Sequence, residues 1–274
     1  MKHLLLSTAL IVLNSLVSIT FSQQQSNKHL LKDAQMETLL DSTVTASFYN
    51  NVYMDVWERL WIPNHQKLAC IDLSADTLDV QFVNLDTDVN IHDVCWLNNG
   101  NMIVATDSTL FFLTDEGYTE IAKLPYPGMC VRAASDSTLY IFGKSTVRNE
   151  YDVSLFTISG SLQRLFSTKE RIVDVVGNGN ITILVLDKEL ALFSPKVEPT
   201  VFFSFDSEIQ SIAITDYGSF FIATSNGILY FDDLGHFYLL SKIGAKKLWY
   251  RNRKLYILFK NGNFSVMPIN NIQE

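Results

Sequence analysis

Short runs of β-branched and aromatic residues, broken by polar turns, recur along the chain. The segment Glu208 to Gly244 shows the pattern most completely. Four apolar runs (Ile209 to Ile214, Phe220 to Thr224, Leu229 to Phe231, Phe237 to Leu240) are separated by Asp216-Tyr217-Gly218-Ser219, Ser225-Asn226-Gly227 and Asp232-Asp233-Leu234-Gly235. Each break carries a glycine where a tight hairpin needs positive φ. The spacing leaves room for strands of about five residues and none for a helix, so the unit is a four-stranded antiparallel meander. Phe220-Phe221-Ile222-Ala223 has no polar alternation and therefore belongs to a strand covered on both faces. A lone meander cannot cover both.

The rest of the chain supplies the covering layers. Asn98-Asn99-Gly100-Asn101, Ala105-Thr106 and Asp115-Glu116-Gly117 precede their counterparts Asp216-Tyr217-Gly218-Ser219, Ala223-Thr224 and Asp233-Leu234-Gly235 by one common offset, that between Gly100 and Gly218. First strands are expected to begin near Ile91, Met129, Ile172, Ile209 and Lys246. A period of about 40 residues with four strands per unit marks a β-propeller blade.

The expectation is an all-β, six-bladed propeller over residues 43–270 with a tail at 271–274. The first blade would occupy Val52 to Asp88, the second Ile91 to Tyr126, the third Gly128 to Lys169 and the fourth Arg171 to Asp206. The third is lengthened by an exposed loop, Lys144 to Tyr151. The last repeat shows only three strands, Lys247 to Tyr250, Lys254 to Phe259 and Phe264 to Pro268. The alternating stretch Thr43 to Tyr49 is expected to add its fourth and close the ring.

Gly218 to Ile228, GSFFIATSNGI, resembles the two-component-regulator propeller repeat, whose pattern is Gly, then Trp-Ile-Gly-Thr, two residues, and Gly-Leu. Thr224 and Gly227 match it; Phe221 and Ile103 stand at the Trp position, Ala223 and Ala105 at the first Gly of that strand end, and Thr109 replaces the later Gly. The resemblance covers about two blades and implies the fold. It also implies a ligand-sensing or protein-docking module in an exported protein, by analogy of fold.

The N-terminus changes the expected compartment. Lys2, an apolar run from Leu4 to Val17, and Thr20-Phe21-Ser22 form a secretory signal peptide over residues 1–22. The run is shorter than the roughly 20 residues needed to span a bilayer. Residues 23–42 are a linker or short helix. The mature protein is thus expected to be exported (periplasmic, cell-surface associated or secreted) and to have no transmembrane segment. A formal net charge of −8 disfavours nucleic acid as a partner. Cys70, Cys95 and Cys130 form no CxxC and no disulfide framework, and are read as buried apolar residues.

Candidate chemistry is sparse. Asp86, Asp88 and Asn90 open like a calcium loop, but Ile91 and Leu97 stand where an EF-hand needs Gly and Glu, so an acidic turn is the preferred reading and no cofactor is expected. His65, His92 and His236 fall in different repeats without HExxH spacing, and there is no GxSxG elbow. Asp93, Asp174 and Ser211 lie at related places on innermost strands and are channel-lining candidates. Trp57 and Trp61, in Val56 to Ile62, are read as core of the first blade rather than as a stacking platform for sugars.

Lys242, Lys246, Lys247, Arg251, Arg253 and Lys254 form a basic stretch that also holds Trp249 and Tyr250. Lys247, Trp249, Arg251 and Arg253 are the candidate partner-binding residues, suited to a carboxylate or phosphate, against the alternative of a solvated charged hairpin. The expectation is a non-catalytic binding or scaffold module for a protein or anionic glycan at the cell envelope. A metal-dependent enzyme of lactonase or lyase type, with its site at the channel mouth, is one rival. A ligand-sensing domain reporting to a partner chain is the other.

Overall fold

The computed structural model describes residues 51–64, 67–74, 80–85, 90–114, 117–177, 181–195, 197–232 and 235–269. Residues 1–50 and 270–274 lie outside them, and with them the expected signal peptide, linker, closing strand and tail. Asp86 and Asp88 do as well.

The described chain forms six antiparallel sheets, each a meander in chain order. Blade one holds β1 (Tyr53–Met54), β2 (Arg59–Asn64), β3 (Lys67–Asp72) and β4 (Val80–Asn84). Blade two holds β5 (Ile91–Trp96), β6 (Met102–Thr106), β7 (Thr109–Thr114) and β8 (Gly117–Lys123); blade three holds β9 (Cys130–Ala133), β10 (Thr138–Lys144), β11 (Tyr151–Thr157) and β12 (Leu162–Thr168). Blade four runs β13 (Ile172–Gly177), β14 (Thr182–Leu186), β15 (Glu189–Ser194) and β16 (Val197–Ser204), and blade five β17 (Ile209–Ile214), β18 (Phe220–Thr224), β19 (Gly227–Phe231) and β20 (Phe237–Ser241). Blade six has three strands among the described residues, β21 (Ala245–Arg251), β22 (Lys254–Phe259) and β23 (Phe264–Pro268).

Packing explains the uninterrupted apolar runs. Both β6 and β18 are buried at every position, because successive side chains enter two different inter-blade layers. Met102 and Val104 of β6 pack with Trp61, Leu68 and Cys70 of blade one. Ile103 and Ala105 pack with Met129, Val131 and Ile141 of blade three. Equivalent layers join blades three to four, four to five, and five to six. A sixth layer sets Val52, Met54, Leu60 and Ile62 of blade one against Tyr256, Leu258 and Phe264 of blade six. The ring is therefore closed by apolar contact within the described residues, and the chain is a six-bladed β-propeller.

The first strand of each blade faces the axis. In blades two, four, five and six this strand carries a β-bulge, between Ile91 and Asp93, Ile172 and Asp174, Ile209 and Ser211, and Ala245 and Lys247. The extra residue bends the strand and re-aims the side chain that follows. Asp93, Asp174, Ser211 and Lys247 thus occupy one structural position, repeated round the channel.

Candidate functional site

The channel ring is built from those bulge positions. Asp93 Oδ1 accepts from its neighbour Val94 N at 3.0 Å, and Asp93 Oδ2 accepts from Val131 N of the next blade at 2.7 Å. Ser211 repeats the inter-blade contact, its Oγ accepting from Leu248 N at 3.1 Å. Both side chains are buried and act first as clasps between first strands.

Arg132, on β9, joins two of the three predicted channel residues. Its Nη1 lies 2.8 Å from Asp93 Oδ2 and its Nε 2.8 Å from Asp174 Oδ1, while Nη2 reaches Asp174 Oδ2 at 3.4 Å. Burial by itself lowers the guanidinium pKa, but the Asp174 and Asp93 carboxylates outweigh it and hold the group well above its ordinary value. Burial and then Asp93 push the Tyr53 hydroxyl up in the same region. The Cys130 thiol, driven by burial and then Asp93, is raised to about 12. All three cysteines are free, and Cys70 and Cys95 are buried as expected. Ser211 does not join the ion cluster.

The four predicted partner-binding residues do not share one surface. Lys247 sits at the channel position, where its charge acts on Cys130. Trp249 packs against the layer between blades six and one, with Phe264 at a centroid distance of 6.3 Å. Arg251 and Arg253 alone reach the hairpin joining β21 to β22. Asn90 is exposed, with Asp107 at 3.5 Å.

A site that sequence reasoning missed lies on the same end of the ring, at the hairpin joining β1 to β2. Asp55 is fully buried, and its carboxylate accepts from Trp57 N and Arg59 N at 2.9 Å each, Arg59 Nε at 2.6 Å and Trp61 Nε1 at 2.9 Å. The bond to Nε1 fixes the Trp61 indole, the bond from the Trp57 backbone fixes the turn that carries the other, and the Arg59 guanidinium lies 4.8 Å from the Trp57 ring and 5.3 Å from that of Trp61. The expectation of two core tryptophans is half corrected: Trp61 is 6% exposed, whereas Trp57 is 54% exposed. The backbone places Trp57 in the turn beyond β1, where it leans on the Gly100 turn of blade two instead of entering a layer. An acidic residue, Asp55, two positions before Trp57 in Asp-Val-Trp-Glu-Arg-Leu-Trp was the available signal.

Glu58, in the same turn, reaches across to blade six. Asn252 Nδ2 donates to Glu58 Oε1 at 2.7 Å and Lys254 Nζ to Glu58 Oε2 at 2.8 Å. Burial raises the Glu58 carboxyl, but bonds from Lys254, Tyr256 and Asn252 outweigh it and leave the pKa below its ordinary value.

No protein-family model matches the chain, and no curated protein matches its sequence. Solved structures do. The extracellular domain attributed to a one component system from B. thetaiotaomicron aligns with TM-score 0.59 at 12% identity over 81% of this chain and 33% of that one. Catalytically inactive virginiamycin B lyase from Staphylococcus aureus, with quinupristin, gives 0.59 at 13% over 78% of each. YCF48 bound to the D1 peptide gives 0.55 at 13% over 81% of this chain and 78% of that one. The chain spans about a third of the length of the B. thetaiotaomicron domain. At these identities the likeness is one of fold. The structural neighbours include extracellular domains, and among the described residues no helix is long and apolar enough to cross a membrane.

Proposed function

We propose that the chain is an exported binding module that docks a partner at the cell envelope through the end of the ring carrying the first hairpins, with Thr43 to Tyr49 completing blade six. The observation that carries this reading is Trp57. A large aromatic side chain that is half exposed, yet held by Arg59 and the Gly100 turn on a backbone that Asp55 fixes, is pre-organised for contact and loses little freedom on binding. Tyr217, 62% exposed in the corresponding turn of blade five, extends the same end. The charged groups of the channel favour this reading over catalysis there, since Asp93 and Asp174 are both engaged by Arg132. YCF48, a neighbour in fold, is known in complex with a peptide, and a docking ring is a use of the architecture consistent with that.

The test compares capture of envelope proteins by the wild-type chain, Trp57→Ala, and the control Val147→Ser. Val147 is 82% exposed in the loop between β10 and β11, away from the first hairpins. A partner held by wild type and the control but lost by Trp57→Ala is the expected result. Equal capture by all three removes the first-hairpin end from the account.

A further inference from the structure

The hairpin between β21 and β22 departs from its counterparts. Blades one, two, three and five close the first hairpin with an N–H donating to the carbonyl four residues on: Asp55 to Arg59, Leu97 to Asn101, Ala134 to Thr138, and Thr215 to Ser219. Blade six closes one residue sooner, with Arg251 opposite Lys254 and the central pair Asn252 and Arg253 at φ 47° and 59°. Such a two-residue turn favours Asn-Gly, because an L side chain at the second position costs roughly 1–2 kcal/mol. Here an arginine stands where glycine would relieve that strain. Strain of this kind gathers where a surface is shaped for use.

Arg251 is the second departure. The matching position holds Asp55, Leu97, Ala134 and Thr215 in the other blades named. Arg251 Nη1 donates to its neighbour's carbonyl, Tyr250 O, at 2.9 Å, while Nε is shut off from water and has no acceptor. A buried donor without a partner is costly, and more so when it belongs to a charged group. Burial lowers the guanidinium pKa, and Asp216 and Asp55 only partly offset this from the turns on either side. Asp55 is already held by Arg59, and on the hairpin itself Lys254 is taken by Glu58. The Nε–Nη2 edge therefore lacks the acceptor that a guanidinium fork is shaped to take.

We infer that Arg251 receives a carboxylate from an acidic peptide segment of the docking partner, bound side-on by Nε and Nη2; this deepens the binding function proposed above and rests on it. A small rotation that brings this edge outward gives up at most the bond to Tyr250 and returns two charge-assisted ones. Two features select a peptide carboxylate over a polyanion. The chain's net charge of −8 repels a densely charged glycan or anionic surface, and Asp216 beside the guanidinium adds to that repulsion. An isolated carboxylate on an otherwise uncharged peptide incurs little of it.

The experiment follows the Arg251 Nε–H resonance in the ¹⁵N-labelled full chain, assigned by its loss in Arg251→Lys, during titration with N-acetyl-glutamate α-amide, whose one carboxylate is that of the side chain. N-acetyl-glutamine α-amide, inorganic phosphate and oligogalacturonate are the comparison arms. A saturable shift with the glutamate α-amide, absent with the glutamine α-amide and smaller with the other two, is expected. No shift, an equal one with the glutamine α-amide, or a larger one with phosphate or oligogalacturonate, overturns the assignment. For the partner captured above, Arg251→Met should weaken binding at least about tenfold while the chain stays folded. Capture that needs Trp57 but ignores Arg251→Met sinks this inference and leaves the docking function standing.

Discussion

Glu58 and Lys254 meet at 2.8 Å across the seam where blade six abuts blade one, the contact that ties the end of the described ring to its beginning. Glu58 holds φ at 65°, a left-handed backbone unusual for glutamate, and its two oxygens also take Asn252 and the Tyr256 hydroxyl. The seam thus has a polar clasp above an apolar layer.

That clasp predicts an acid sensitivity with a definite sign. The folded pKa of Glu58 lies below the ordinary value of 4.5, so its contribution is complete above that value and is lost as pH falls through the folded pKa. Urea unfolding of wild type and Glu58→Gln at pH 7 and pH 3.5 should show a gap of about 1–2 kcal/mol at neutral pH that narrows in acid. A gap independent of pH would mean that the ionised carboxylate adds nothing.

The channel clasps should separate by chemistry. Asp93→Ala leaves Arg132 with one carboxylate and Val131 N without its acceptor, and should cost about 3–5 kcal/mol, in the range for breaking a buried ion pair. Ser211→Ala removes one neutral bond to Leu248 N and should cost about 1 kcal/mol. Equal losses in urea denaturation would show that Asp93 acts only as a hydrogen-bond acceptor.

The architecture was legible wherever one side chain sufficed to report its surroundings. Phe220 to Ala223 announced a strand between two layers, and the offset linking Gly100 to Gly218 announced repetition. The Asp93–Arg132–Asp174 cluster was not legible, because its members sit on three blades and meet only when the ring forms. That Lys247, Trp249 and Arg251 meet different surroundings was not legible either. The three share strand parity, but the bulge at Ala245 re-aims Lys247 to the axis, and ring closure covers Trp249 with blade one. Trp57 was missed because Arg59 and the Gly100 turn, and not an apolar layer, hold its ring, on a turn that buried Asp55 fixes.

Strand β23 pairs with β22 on one edge, and no strand covers its other edge among the described residues. An added strand from Thr43 to Tyr49 would satisfy that edge. Deleting residues 23–49 should then lower the thermal midpoint by at least about 4 °C and speed amide exchange at Phe264 and Val266, whose N–H groups face the outer edge. Unchanged exchange there would assign the closing role to the apolar layer and the Glu58 clasp alone.

Gly100 offers a way to move Trp57 without touching it. Its φ is 87°, and a Cβ placed there would lie 2.8 Å from Trp57 Cη2, closer than the two atoms can approach. Gly100→Ala therefore carries a backbone cost of about 1 kcal/mol for the left-handed conformation, plus whatever is needed to displace an indole held from behind by Arg59. The total should reach about 2 kcal/mol in urea unfolding. In the double variant with Trp57→Ala the steric part vanishes, so adding Gly100→Ala to Trp57→Ala should cost only the backbone part. If Gly100→Ala costs the same in both backgrounds, Trp57 does not rest on the turn. If it costs less in the Trp57→Ala background, and Gly100→Ala alone abolishes partner capture, then the orientation of the indole, and not its mere presence, is what the partner reads.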